Sequence, residues 1–287
     1  MENDNFVVFI LTNGRPDKVI TYDTLKKCGY TGKIYLIIDN EDKTVDKYIR
    51  RFGIENVIIF DKIKIAKTFD EFDNFNDRRA IIYARNACFD IAESLGEKYF
   101  LELDDDYTAF DFRVYIDKGI VKPVNDLDKI FDLVLDYYKT IPAKSIAFAQ
   151  GGDFIGGIDN GKELFRFSKR KVMNTFFCST DRRFNFIGRI NEDVNTYTSV
   201  QSRGELFLTI QNLSITQKAT QKNKGGMSEL YLDSGTYIKS FYTVICSPSC
   251  VKIRLLNSSH KRMHHSIDWN RTVPCIINER HKLNSRY

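Results

Sequence analysis

Residues 99–107 read Tyr-Phe-Leu-Glu-Leu-Asp-Asp-Asp-Tyr, a short apolar run of strand type that ends in three consecutive carboxylates. A buried strand with this ending sets Asp104, Asp105 and Asp106 at the edge of a cleft. Three like charges raise the energy of the fold there unless a cation offsets them. Hard oxygen donors suit Mg²⁺ or Mn²⁺, which keep several waters and complete their shells with one or two carboxylates and substrate phosphates. The run therefore reads as a metal–diphosphate site; the plainer alternative is a strand that enters a solvated acidic turn. Positions i and i+2 of an extended segment point the same way, so Asp104 and Asp106 can share one ligand.

Other residues have matching chemistry. Arg85 lies just before this strand and Arg15 just after the first one, and a guanidinium at either place can clamp a diphosphate or pair with a neighbouring carboxylate. Asp39 closes the second strand and can accept a hydrogen bond from a base or ribose, or serve as a turn residue. Glu192-Asp193 follows Asn191 in a helix-start setting, where a carboxylate either stabilises the helix end or acts as a general base. His260, His264 and His265 are three of the four histidines in the chain. A neutral imidazole from this segment can complete a Mn²⁺ shell; the alternative is a basic surface patch.

The elements that must position these groups alternate. Apolar strand segments are expected at Phe6–Leu11, Lys33–Ile38, Asn56–Phe60 and Tyr99–Leu103, with helical spacing at 17–28, 43–52 and 77–95 and a stop at Gly96. Such alternation predicts a mostly parallel, helix-flanked sheet whose ligands sit beyond the carboxyl ends of the strands. The loops at 12–17, 39–42 and 104–106 meet there. Downstream, 126–140 reads as helix and Ser145–Ala149 as strand. Glu205–Ile210, Gln211–Thr216 and Thr243–Ile245 read as antiparallel strands, and 217–229 as a polar loop.

Of the 287 residues, 43% are hydrophobic, enough for a sizeable core. No apolar stretch approaches the roughly 20 residues of a membrane span. The N-terminal residues lack the positive region of a signal peptide, and the six cysteines form no CxxC pair, so a reducing, cytoplasmic setting and no membrane partner are expected. Charge is uneven. Residues 1–159 carry 22 Lys and Arg against 29 Asp and Glu, whereas residues 160–287 carry 21 against 9. A basic half can face a polyanion such as DNA, or cover the acidic half. No G-x-x-x-x-G-K-[ST], G-x-G-x-x-G, G-x-S-x-G or H-E-x-x-H is present, which disfavours P-loop ATPases, dinucleotide-binding folds and the commonest hydrolases.

The order of Thr12 and Arg15, Asp39, Ala84-Arg85-Asn86, Asp104-x-Asp106, Asn191-Glu192-Asp193 and a C-terminal histidine resembles the GT-A class of nucleotide-sugar glycosyltransferases. More narrowly, Asn191 to Tyr197, Arg203-Gly204 with Leu206 to Thr209, and His264-His265 with Ile267, Trp269 and Pro274 are similar to the phage TET-associated glycosyltransferases. Those enzymes are linked to sugar addition on 5-hydroxymethylpyrimidines in DNA. The resemblance implies a GT-A α/β fold with helices on both sheet faces and a smaller antiparallel acceptor-side region. It implies one catalytic domain over 1–287, with a nucleotide-sugar-binding half (1–110) and a basic acceptor half (111–287) that ends in a metal-site segment. It further implies a UDP-sugar donor held by Thr12, Arg15, Asp39, Arg85, Asp104 and Asp105, and Mn²⁺ or Mg²⁺ held by Asp104, Asp106 and His264 or His265. Asp193, with Glu192 beside it, is then the base of an inverting enzyme; a retaining enzyme needs none. Lys169, Arg170, Lys171, Arg182, Arg183, Lys222, Lys224 and Arg262 are the expected DNA contacts. A polysaccharide or protein acceptor, a non-catalytic nucleic-acid-binding protein and a nucleotidyltransferase are the alternatives.

Overall fold

The computed structural model describes residues 5–115, 119–154, 173–218, 235, 237–257, 261–272 and 276. The first block is built from apolar runs. β1 (Phe6–Leu11), β2 (Ile34–Asp39), β3 (Val57–Phe60) and β4 (Tyr99–Asp104) lie parallel in the order β3-β2-β1-β4. Every residue of β1 is buried. Its side chains alternate between two cores: Phe6, Val8 and Ile10 join Leu25, Tyr30 and Phe131 on one face, and Val7, Phe9 and Leu11 join Tyr83, Phe89 and Phe176 on the other. A strand covered on both faces has no polar side to show, which is why the sequence reads as an unbroken apolar run.

The helices that supply this cover include α1 (Ile20–Lys27), α2 (Val45–Phe52), α3 (Lys62–Ala66), α4 (Ile82–Ser94) and α5 (Leu127–Thr140). Helix α4 ends as expected at Gly96, which has φ +72°. The amides of Gly96 and Glu97 return to the carbonyls of Glu93 and Ala92 and so satisfy the helix end.

Most strands of the second half extend the same sheet, and two form the small separate antiparallel region that was expected. β5 (Tyr107–Tyr115), β6 (Gly119–Pro123), β7 (Ala143–Ala149), β8 (Phe176–Ser179) and β9 (Leu206–Gln217) complete nine strands in the order β3-β2-β1-β4-β8-β7-β9-β5-β6. β8 runs antiparallel to β4 and β7, while β7 and β9 are parallel. The two segments expected at 205–210 and 211–216 are one continuous strand, β9. The strand expected at Thr243–Ile245 is instead part of a helix, here α7 (Ile238–Cys246), which follows α6 (Glu192–Gln201). A separate antiparallel hairpin, β10 (Val251–Asn257) and β11 (Lys261–Ile267), leads to the short α8 (Trp269–Thr272).

β1 has β2 on one side and β4 on the other, so the chain order reverses there. Leu11 pairs with Asp104 at the carboxyl end of both strands. The loops after β1 and β4 therefore open into one crevice, where open α/β sheets bind ligands.

Candidate active site

The acidic turn after β4 is pinned by α1. Thr21 donates its hydroxyl to the Asp104 carbonyl (2.6 Å) and its amide to the Asp105 carbonyl (3.1 Å), and the Tyr107 amide donates back to the Thr21 hydroxyl (2.9 Å). With its backbone fixed, the turn sends its three carboxylates to different partners. Asp105, 2% exposed, accepts from the Thr12 hydroxyl (2.7 Å) and pairs with Arg15 (3.0 Å). Tyr48 of α2 braces this arrangement through the Thr12 hydroxyl (2.9 Å) and the Arg15 amide (2.8 Å). Asp105 thus fixes the β1 loop, and both of its carboxylate oxygens are held by residues of that loop. Asp106 has no ion pair of its own among the described residues. Burial, followed by the charges of Asp104 and Asp105, pushes its carboxyl up to about 7.

Asp104 belongs to a second cluster centred on Arg85. This guanidinium, 2% exposed, was expected to clamp a diphosphate; the structure instead sets it under the strand ends. It bonds Asp104 (3.0 Å), Glu102 of the same strand (3.4 Å) and Glu192 at the start of α6 (3.1 Å). Its Cζ lies 4.9 Å from the ring centre of Phe176 and 5.6 Å from that of Phe186. A planar fork is suited to such a three-way junction. Burial raises the carboxyls it holds: Glu102 to about 8 and Glu192 to about 7, the latter also by Asp193 beside it. Asp193 is raised by burial as well and feels the charges of Arg85, Asp104 and Lys239 of α7. The strand tip and the first turn of α6 thus share one electrostatic neighbourhood.

Asn191 precedes α6 in the left-handed region, φ +62° and ψ +38°. It makes no side-chain cap; its amide donates instead to Thr243 of α7 (2.5 Å). On the same helix Ser240 accepts from the His265 amide (3.1 Å). Helix α7 therefore brackets the start of α6 against the histidine hairpin. His264 donates Nδ1 to the His265 carbonyl (2.7 Å). Burial, then His264 and Lys239, holds the His265 imidazole down to about 3, so the ring is neutral. Its Nδ1 is buried without a partner.

Among the described residues no group of three or more His, Cys, Asp or Glu side chains converges as a ready-made metal site, so the expected set of Asp104, Asp106, His264 and His265 is not closed by protein alone. A cation that takes one or two protein ligands and completes its shell with substrate phosphates needs no such closure. Asp106, which makes no ion pair among the described residues, and His265 Nδ1, which has no hydrogen-bond partner, are donors of the type such an ion takes.

At the end of β2, Asp39 is 5% exposed and well partnered. It accepts from Asn13 (2.7 Å), the Glu41 amide (3.0 Å) and the Lys62 ammonium (3.1 Å). Burial and these three donors place its carboxylate behind Asn13 in the wall of the crevice.

The sequence profile of the TET-associated glycosyltransferase family matches residues 6–226, most of the chain and nearly all of the sheet just described. The chain belongs to the TET-associated glycosyltransferase family. A search of curated proteins by sequence finds no match. Solved structures of similar fold include three glycosyltransferases. Glucosyl-3-phosphoglycerate synthase from Mycobacterium tuberculosis, in complex with Mg²⁺ and UDP, is 7% identical at a TM-score of 0.48, over 92% of this chain and 87% of that one. The mannosyltransferase PcManGT from Pyrobaculum calidifontis, in complex with GDP-Man and Mn²⁺, is 8% identical at 0.47, over 85% and 72%. TarS from S. aureus, in complex with UDP, is 10% identical at 0.45, over 84% and 65%.

In this TET-associated glycosyltransferase the expected DNA contacts fall into three groups. Lys169, Arg170, Lys171, Lys222 and Lys224 lie outside the described residues, and Arg262 is on β11. Arg182 and Arg183 are committed elsewhere. Arg182 donates to the carbonyls of Tyr138, Ile141 and Ala143 (2.8–3.0 Å) and closes the end of α5. Arg183 pairs with Asp90 and Glu93 on α4. Each therefore joins a helix to the sheet in this structure.

Thr21, Tyr48, Glu102, Asn174, Thr243 and Lys239 were missed. Asn174 donates to Asp104 (3.4 Å) and to Gln217 at the end of β9 (2.6 Å). Glu102 offered one signal, a charged residue in the middle of an apolar strand, which calls for a buried partner.

Proposed function

We propose that this glycosyltransferase moves a sugar from a UDP-sugar to the hydroxymethyl oxygen of a 5-hydroxymethylpyrimidine in DNA, with Mn²⁺ or Mg²⁺ at the carboxyl end of β4. The single observation that carries the reading is the Arg85 cluster, which joins the acidic strand tip to the Glu192-Asp193 turn. Family membership supports the transfer chemistry and the DNA acceptor. Asp106 and Asp104, with His265 or His264, would hold the cation, which when bound offsets charge on the departing diphosphate. Thr12 and Arg15 line the donor crevice, and Asp39 supports its wall.

In an inverting displacement the hydroxymethyl oxygen bonds to the anomeric carbon as the bond from that carbon to the diphosphate oxygen breaks. UDP leaves with the electron pair, and the hydroxyl proton passes to the Asp193 carboxylate. Burial makes Asp193 a stronger base than an exposed aspartate. The target base must be flipped out or single-stranded to reach the crevice. Lys169, Arg170, Lys171, Lys222, Lys224 and Arg262 are the proposed phosphate contacts.

Mass spectrometry of nucleosides tests the reading directly. DNA containing hydroxymethylcytosine or hydroxymethyluracil, incubated with a panel of UDP-sugars, is expected to gain one sugar per modified base, and plain DNA none. Asp106→Asn is expected to abolish the gain. Transfer to a polysaccharide or protein and not to modified DNA overturns the acceptor; release of pyrophosphate in place of UDP overturns the reaction. Affinity for DNA is expected to fall with salt at about one log–log unit per phosphate contact. A flat salt response removes the basic residues from the interface.

A further inference from the structure

Asp39 stands where an acceptor for the donor's base is expected, yet its carboxylate is already held by Asn13, Lys62 and a backbone amide. Lys62, on α3, is itself 7% exposed. Asn13, in the loop after β1, is half-buried.

A carboxylate only accepts, so the group that Asn13 turns to Asp39 must be its NH₂. That bond, 2.7 Å long, fixes the orientation of the amide. The Asn13 carbonyl oxygen then points away from Asp39. It accepts nothing among the described residues, and it is not one of the buried unpartnered atoms. The next residue, Gly14, is exposed and has no atom within 4 Å of where a Cβ would stand. Its amide is tied to Asp42 (2.7 Å), so the loop is held while the space beside Asn13 stays open. The result is a single acceptor of fixed polarity on the loop after β1, beside the end of β2.

We infer that Asn13, locked by Asp39 and Lys62, selects the base of the donor by accepting a ring N–H through its side-chain carbonyl. Uracil presents such a donor at N3. Cytosine presents a lone pair at the same ring position, and two facing acceptors repel. The inference rests on the nucleotide-sugar reading above and adds its base specificity.

Titration calorimetry with UDP and CDP tests the inference without sugar or DNA. Wild-type protein is expected to bind UDP more tightly than CDP by about tenfold or more, the scale of one hydrogen bond made against one denied. Asn13→Ala and Asn13→Leu are expected to weaken UDP by about tenfold and leave CDP within about twofold, so the preference collapses. Should Asp39 read the base itself, Asn13→Ala frees its oxygen, and UDP affinity is kept or improved; that result overturns the inference. A wild-type protein that binds both nucleotides equally overturns it while leaving the donor class in place. A wild-type protein that binds neither overturns the donor class as well. Thermal melting of each variant, expected to show a folded protein with a modestly lowered midpoint from the lost Asn13–Asp39 bond, separates loss of recognition from loss of fold.

Discussion

Arg85→Met is expected to lower stability by about 3–5 kcal/mol, because it leaves buried carboxylates without their charged partner. Glu102, Asp104 and Glu192 all lose their charged partner at once, and Glu102 is wholly buried. The loss should depend on pH. Burial already lifts Glu102 to about 8 and Glu192 to about 7, and Arg85 is the largest of the influences that hold both down. A carboxyl whose folded value lies above its unfolded value stabilises the protonated folded state, so stability falls as pH rises between the two values. Removing Arg85 raises the folded values further. The penalty is therefore expected to be larger at pH 8 than at pH 5.5, as read by urea unfolding at each pH. Arg85→Lys should recover little, since an ammonium cannot span three carboxylates as a planar fork does. A constant penalty across that range, or a variant as stable as wild type, contradicts the role given to Arg85.

Asp193→Asn is expected to reduce kcat by about 10²–10⁴-fold, the usual worth of a general base, with little change in UDP affinity. The replacement keeps the shape of the side chain and removes only its capacity to take the proton. Its melting temperature should stay close to that of wild type. Asparagine at the start of α6 leaves the Arg85–Glu192 bond in place. Single-turnover transfer to hydroxymethylated DNA, followed by NMR of the sugar linkage, reads both rate and anomeric outcome. Normal turnover with retained configuration rules out a base at this position.

The parallel block was legible because its strands are buried on both faces and each ends at a polar turn. β1, β2 and the acidic end of β4 could be placed from apolar runs alone. The second half was harder for a physical reason. Ile238–Cys246 holds Ile, Phe, Tyr, Thr and Val, residues that favour strands, and its helical form comes from packing: Ser240, Tyr242 and Thr243 are buried against the start of α6 and the hairpin. β9 read as two strands because Gln211 and Asn212 interrupt its apolar pattern.

The site was legible in its residue types and less so in their roles. Thr12, Arg15, Asp39, Asp104 and Glu192-Asp193 were all singled out. Spacing along the chain does not reveal which way a side chain turns, however, so Arg85 was read as a ligand clamp when it is a buried junction. Its partners lie 17, 19 and 107 positions away in sequence. The same limit applied to Asp105: three identical carboxylates in a row give no hint that the middle one faces back toward Thr12 and Arg15.

The Arg85 junction also constrains how this chain can change over generations. Arg85, Glu102, Asp104 and Glu192 come from three separate segments; replacing Arg85 strands its carboxylate partners, and replacing any of the carboxylates alters the charge balance around the buried guanidinium. Such a quartet cannot drift by neutral single steps. It persists intact or is exchanged as a set, so lineages that alter acceptor preference are expected to do so at the rim while this knot stays untouched.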